Sequence, residues 1–235
     1  MIKMKNDVRD SAVKNKISKK FQIFILSWYR INGRCLPWRN TDEPYKILVA
    51  EFLLQKTDVE KVKPVYRRFI YRWPSTQSLS KARISSIFKV IQPLGLKYKA
   101  NRLKSTAKII VERFGGKIPK ADDKLLELPG VGRYIASAVE CFAFNIPKAI
   151  LDTNVLRIFN RVFGIKSKRN RPRDDPRLWS FAQTLVPENN AKEYNWGLID
   201  YGALVCKSKE PLCNKCILYN MCIFFQKIGS KTKSI

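Results

Sequence analysis

The sequence contains no histidine, few acidic residues and no long apolar run. The absence of histidine excludes metal sites that need it and leaves the cysteines as candidate ligands. The most apolar stretches, such as residues 21–26, are short and flanked by charge, which excludes a transmembrane helix. The Lys-rich residues 1–20 lack a hydrophobic segment and a small-residue cleavage site. We therefore expect a soluble intracellular protein with no signal peptide and a mobile basic arm at its start.

The scarcity of acidic residues leaves a large positive charge. The 235 residues include 46 Lys+Arg against 19 Asp+Glu, a net charge of +27, which favours association with nucleic acid. A hydrophobic content of 45% indicates a packed core rather than a disordered tail that coats DNA. Two basic stretches, residues 97–120 and 166–173, are candidates for phosphate contacts, although a solvated helix face and a solvated loop explain them equally well.

Alternation typical of strands is scarce, whereas helical spacing recurs along the chain. Leu103, Ala107, Ile110 and Phe114 follow one another at steps of three or four residues. Proline and glycine interrupt this pattern at short intervals, and no internal repeat is present. The pattern predicts an all-α protein made of short helices in a compact bundle.

Four of the six cysteines are clustered near the C-terminus. They are Cys206, Cys213, Cys216 and Cys222, and this spacing is typical of metal ligands rather than of disulfides. Four thiolates suit either a tetrahedral zinc ion or a 4Fe-4S cluster, and the spacing alone does not choose between them.

A Pro-Gly-Val-Gly segment precedes the apolar stretch of residues 135–144. Gly130 and Gly132 allow a tight turn that leaves unpaired amides at a helix N-terminus, where the helix dipole favours an anion such as a phosphate. A hairpin of this kind would hold a nucleic-acid backbone without reading its sequence. The alternative is an ordinary connection between two helices.

Five segments together resemble the helix-hairpin-helix DNA glycosylases of the endonuclease III and MutY type. The resemblance extends over about residues 21–224. It rests on residues 36–39 (LPWR), 50–57 (AEFLLQKT), 128–134 (LPGVGRY) and 151–155 (LDTNV), and on the cysteine spacing.

The resemblance implies two helical modules with a DNA-binding cleft between them. A six-helix module with the hairpin would occupy residues 39–148. A module bearing a 4Fe-4S cluster, with zinc as the less favoured alternative, would combine residues 21–38 with 149–235. The expected partner is double-stranded DNA that contains a mismatched or deaminated base, bound by a monomer.

Asp152 matches the catalytic aspartate of this family. Breaking an N-glycosidic bond builds positive charge on the sugar, which an ionised carboxylate stabilises. The same residue is also a good N-cap for a helix over residues 153–163, and the two roles are compatible. We expect the helix dipole to keep this carboxylate ionised.

Tyr134 occupies the hairpin position where family members that also cleave the strand carry a lysine. A lysine amine forms a Schiff base with the opened sugar, and a phenol cannot. The sequence therefore predicts a monofunctional glycosylase that leaves an abasic site, with Tyr134 at the base pocket. The alternative is an amphipathic core residue.

By resemblance, Glu51 meets the flipped base, and Gln55 lies near the gap that the base leaves in the duplex. The alternative for Glu51 is an ion pair with Lys46 or Lys56. Leu96 is a candidate wedge, with core packing as its alternative. The remaining predicted DNA contacts are Lys97 and the hairpin residues Gly130, Val131, Gly132 and Arg133.

Glu51 alone leaves the excised base open, because it suits adenine when protonated and thymine or uracil when ionised. The Asp-Thr-Asn-Val and Gly-Leu-Lys-Tyr segments, and a chain that ends soon after Cys222, depart from MutY-type adenine glycosylases. They favour the Mig type, which removes thymine or uracil opposite guanine. A MutY-like adenine glycosylase and a non-catalytic DNA-binding metalloprotein are the alternatives.

Overall fold

The secondary structure is helical throughout the described part of the chain, which confirms the predicted all-α class. The computed structural model describes the backbone of residues 2–95 and 97–231, and the side chains of residues 16–95 and 97–228. The helices are α1 Ile2–Asn32, α2 Pro44–Leu54, α3 Val59–Arg72, α4 Thr76–Lys81, α5 Ile84–Ile91, α6 Tyr98–Phe114, α7 Asp122–Leu126, α8 Arg133–Phe144, α9 Thr153–Phe163, α10 Pro176–Thr184, α11 Ala191–Leu204 and α12 Ile223–Lys231.

The chain divides into two compact units. One contains residues 35–146, and the other combines residues 1–34 with residues 147–235. The first unit therefore contains α2 to α8, and the second contains α1 and α9 to α12. The predicted functions of these regions, DNA binding and cluster binding, stay predictions.

Helix α2 is the centre of the 35–146 unit. Its residues from Tyr45 to Leu53 are almost all buried, so it packs on several sides, against α8, α3 and α6. Pro44 occupies the first turn, where the absence of an N–H costs nothing. The neighbouring helix α3 begins at an N-cap, Asp58, whose carboxylate accepts the Glu60 N–H at 2.9 Å.

The second unit is built around an aromatic cluster. Phe21 of α1 lies 5.0 Å from the Phe163 ring of α9, and Phe181 of α10 lies 5.4 Å from the same ring. The end of α1 is fastened to α11, because the Arg34 guanidinium lies 2.7 Å from the buried carboxylate of Asp200. Helix α1 therefore shares one core with α9, α10 and α11, although it is far from them in the sequence.

The predicted mobile arm, residues 1–20, falls within helix α1 from Ile2 onward. The side chains of residues 1–15 lie outside the described residues, and mobility of the arm stays a prediction. None of the described helices combines the length and apolar character needed to cross a bilayer.

Candidate active site and cysteine pocket

The loop between α7 and α8 forms a tight hairpin. Val131 donates its N–H to the Leu128 carbonyl at 3.0 Å. The side chains of both residues are buried, and they anchor the loop to the core of the unit. Gly130 has a φ of +80°, a conformation that L side chains rarely adopt. Gly132 is the N-cap of α8 and is exposed together with Arg133.

Contacts from α2 and α6 hold this hairpin. The Gln55 amide donates to the Gly130 carbonyl at 3.3 Å, and the Thr106 hydroxyl donates to the Pro129 carbonyl at 2.8 Å. A Cβ added to Gly130 would lie 2.7 Å from the Arg102 Cδ atom. The first amides of α8 are left without intrahelical acceptors, as at every helix start, so the exposed loop is suited to an anion.

The C-terminus of α2 is held by a buried lysine. The Lys99 ammonium lies 2.7 Å from the Leu53 carbonyl and 2.7 Å from the Thr57 hydroxyl, which itself donates to the Gln55 carbonyl at 3.1 Å. The Lys99 side chain is fully buried, and burial lowers its pKa to about 8. Lys99 thus fixes the segment that carries Gln55.

The other predicted residues of this unit differ in exposure. Glu51 is buried on α2 and Tyr134 is half-buried on α8. Lys46, offered as an alternative partner of Glu51, instead lies 2.7 Å from Glu43. Lys97 is exposed, and its ammonium lies 5.6 Å from the Phe88 ring centroid. Leu96, the predicted wedge, lies outside the described residues.

Asp152 is the N-cap of α9, in the second unit. Its Oδ1 accepts the Val155 N–H at 2.7 Å, and its Oδ2 accepts the Asn154 side-chain amide at 2.9 Å. Burial raises the pKa of the Asp152 carboxyl, whereas these hydrogen bonds and the charge of Arg157 lower it, so that the net direction is upward. Desolvation therefore opposes the helix terminus at this carboxyl, and the expectation that Asp152 is ionised stays a prediction.

Arg157 fixes the residues around Asp152. Its guanidinium donates to the Asn154 Oδ1 and to the Gly202 carbonyl, each at 2.7 Å, and to the Cys206 carbonyl at 2.8 Å. A Cβ on Gly202 would lie 2.5 Å from the Asn154 Cβ, so α9 and α11 meet closely here. This network connects Asp152 with the start of the cysteine segment.

The four clustered cysteines line one pocket with about 380 Å³ of empty space, part of it open to solvent. The Tyr201 hydroxyl donates to the Cys216 sulfur at 2.9 Å, and the Arg161 guanidinium lies 3.5 Å from the Cys206 sulfur. Within the described residues, no three His, Cys, Asp or Glu side chains are placed to hold a single metal ion. The four thiols thus face one shared space, with Tyr201 and Arg161 beside two of them.

The predicted residues fall into two groups. Glu51, Gln55, Tyr134, Lys97 and the hairpin belong to the 35–146 unit, where a hydrogen bond joins Gln55 to the hairpin. Asp152 and the four cysteines belong to the other unit, where Arg157 donates both to Asn154, the partner of Asp152, and to the Cys206 carbonyl.

Residues 49–180 match the HhH-GPD superfamily of base excision DNA repair proteins. The chain belongs to this superfamily. The prediction of a base-excision DNA glycosylase with a helix-hairpin-helix is thereby confirmed.

Relatives of this HhH-GPD protein span most of its length. It is 46% identical to a thymine/uracil-DNA glycosylase of Pyrobaculum aerophilum, over 88% of this chain and 93% of the relative. It is 44% identical to a thymine-DNA glycosylase of Aeropyrum pernix, over 86% of this chain and 92% of the relative. An adenine DNA glycosylase of Buchnera aphidicola is 36% identical over 88% of this chain and 60% of its own length.

The structure of a thermostable thymine-DNA glycosylase superposes with a TM-score of 0.86. That protein is 36% identical, and the match covers 91% of this chain and 99% of the other. The fold of the HhH-GPD protein is therefore that of a thymine-DNA glycosylase over nearly all of its length.

Sequence reasoning missed the residues that position the site. Lys99, Thr106 and Arg157 were visible only as members of helices with many cations and polar residues, and no local pattern distinguished them. Arg157 alone had a weak signal in the sequence, because it lies on the helix that the predicted Asp152 caps. Their contacts are long-range, so the tertiary structure was needed to identify them.

Proposed function

We propose that this protein is a monofunctional DNA glycosylase that removes thymine or uracil mispaired with guanine in double-stranded DNA. The observation that carries the proposal is the carboxylate of Asp152, held by the Val155 amide and the Asn154 side chain at the start of α9. The substrate is supported by the names of the Pyrobaculum and Aeropyrum relatives, which match nearly their whole length.

Asp152 would act on the sugar. As the glycosidic bond breaks, its electron pair leaves with the base and positive charge develops on the deoxyribose. A carboxylate that is poorly solvated and held in a fixed orientation attracts such a charge more strongly than one in water does. The two hydrogen bonds supply the orientation, and burial supplies the poor solvation. Water would then add at C1′ and leave an abasic site.

Glu51 and Tyr134 would form the base pocket. An ionised Glu51 accepts a hydrogen bond from the N3–H of thymine or uracil, and the Tyr134 ring offers an apolar surface to the extruded base. Because Tyr134 has no amine, no Schiff base forms at this position, and the strand stays intact.

The hairpin of residues 130–133 would hold the DNA backbone at its exposed Gly132 and Arg133, with Gln55, Lys97 and Leu96 near the gap in the duplex. A mismatch lowers the cost of extruding the base, which favours mispaired substrates. We propose that the protein works as a monomer, inside the cell, where its DNA substrate lies.

Cys206, Cys213, Cys216 and Cys222 would hold a 4Fe-4S cluster. The pocket that all four cysteines line supports this assignment, because four thiolates facing one space suit such a cluster, with zinc as the alternative. Arg161 and Tyr201 would donate hydrogen bonds to the sulfurs and offset their negative charge. The cluster would cross-link the cysteine segment and take no part in breaking the glycosidic bond. Iron and sulfide analysis of the purified protein tests this assignment.

Duplex oligonucleotides with G·T, G·U, G·A or 8-oxoguanine·A pairs, incubated with enzyme and then heated in alkali, test the proposed activity. We expect strand scission at T and U opposite G, and none before alkali. Scission only at A-containing pairs would establish the adenine glycosylase instead, and scission nowhere would favour a non-catalytic binding protein.

A matched pair of variants tests Asp152. Asp152→Asn keeps an N-cap side chain but removes the charge, so single-turnover excision should fall by about 10² to 10³-fold. Asp58→Asn makes the same change at the exposed N-cap of α3 and should leave excision unchanged. Equal rates for Asp152→Asn and wild type, with matching circular dichroism, would refute the role of Asp152.

A further inference from the structure

An open groove lies in the second unit, between α9 and the segment of residues 164–175. It encloses about 1120 Å³ of empty space, much of it open to solvent. Thr153 and Asn160 of α9 form one wall, and Lys166, Arg171 and Arg173 of the segment form the other. Thr153 directly follows Asp152, so the groove begins beside the proposed catalytic carboxylate.

The groove is strongly positive. Lys166, Arg171 and Arg173 are exposed, and none of them forms an ion pair with a residue in the described part of the chain. The residues that line the groove include no aspartate or glutamate. Lys166, Arg171 and Arg173 therefore have no acidic neighbour within the described lining of the groove.

The basic segment is built to hold its cations in place. The Asp175 side chain is buried and accepts the Ser167 hydroxyl at 2.9 Å. The Trp179 indole N–H donates to the Arg173 carbonyl at 2.7 Å, at the other end of the segment. Because both ends are anchored, less conformational entropy is lost when the cations bind a ligand.

We propose that this groove binds the phosphodiester backbone of the DNA strand that flanks the extruded nucleotide. The side chains of Lys166, Arg171 and Arg173 are long and lie at different positions along an open groove. Such an arrangement suits a polyanion that runs along the groove and contacts each cation in turn. The Asn160 and Thr153 side chains add neutral donors on the opposite wall. The inference rests on the proposed function for its ligand, duplex DNA, and for the position of the nucleotide near Asp152.

The test compares two triple variants that remove the same charges. The groove variant is Lys166→Gln/Arg171→Gln/Arg173→Gln. The control is Lys61→Gln/Arg67→Gln/Arg68→Gln, at exposed positions of α3 in the other unit. Fluorescence anisotropy measures the affinity of each protein for an undamaged duplex over a series of KCl concentrations, and circular dichroism checks the folds.

We expect the slope of the logarithm of the association constant against the logarithm of the salt concentration to fall in magnitude by about 2 to 3 for the groove variant. Each lost phosphate contact reduces the magnitude of this slope by about 0.9. The control should keep a slope close to that of wild type. Equal loss in both variants would mean a general effect of net charge, and no loss in the groove variant would mean no contact. Either outcome overturns the proposal.

The two experiments distinguish failure of the proposed excision activity from failure of the groove proposal. If wild type excises no base from any mismatch but the two variants still differ in slope, the groove stands and the proposed activity fails. If wild type excises T or U opposite G and the slopes are equal, the groove proposal fails alone.

Discussion

Lys99 gives the most quantitative prediction. It is fully buried, its ammonium contacts only the neutral Leu53 carbonyl and Thr57 hydroxyl in the hydrogen bonds described above, and its pKa is lowered to about 8. In the unfolded chain a lysine titrates near 10.5. Between these two values the unfolded state binds more protons than the folded state, so the free energy of unfolding rises with pH.

The size of this effect follows from the two pKa values. At 1.36 kcal/mol for each pH unit, a pKa of about 8 instead of 10.5 costs the folded protein about 3.4 kcal/mol when the lysine is charged in both states. The cost is fully present below pH 8 and is relieved as the pH rises towards 10.5. Between pH 7 and pH 10, wild type should therefore gain about 2.5 kcal/mol relative to Lys99→Met, which cannot titrate.

Urea unfolding followed by circular dichroism at pH 7, 8, 9 and 10 measures this difference. Groups common to both proteins titrate equally, so their contributions cancel. Lys108→Met, at an exposed position of the same helix, is the control and should show a smaller trend than Lys99→Met. A stability difference between wild type and Lys99→Met that stays constant from pH 7 to pH 10 would refute the assignment of Lys99 as a buried cation.

Three further predictions concern the candidate site. Because burial raises the pKa of Asp152, single-turnover excision should fall on acidification at a higher pH than an exposed aspartate would require, and a flat profile from pH 5 to 8 would contradict its role as an ionised group. Gly130→Ala should lower stability by about 1 to 3 kcal/mol and weaken DNA binding, since the φ of +80° and the nearby Arg102 oppose a Cβ; thermal unfolding and anisotropy measure both. Gly202→Ala should displace Asn154 and slow excision more than it weakens binding to undamaged duplex, and a change confined to binding would argue against this.

Local sequence signals predicted much of the helical pattern. The helix over residues 153–163 was expected from its apolar spacing and from Asp152 as N-cap, and α9 has those bounds. Several helix ends also follow local rules, because Gly115 and Gly164 have the positive φ that ends a helix.

Other features have no local signal. No proline or glycine separates α2 from α3, yet α2 ends at Leu54, and Lys56 takes a φ of 54°. The contacts that favour this break come from Lys99, 42 residues after Thr57 in the sequence. A pattern of propensities cannot predict such an end, because its cause lies on another helix.

The sequence by itself determined the all-α class, the cysteine cluster, the glycine hairpin and the capping aspartate, since each depends on residue types at short spacing. Only the tertiary structure decided that Gln55 reaches the Gly130 carbonyl, 75 residues away, and that Arg157 joins Asn154 to the Cys206 carbonyl. These contacts depend on how the helices pack within each unit, and packing arises from the whole buried surface rather than from any one segment.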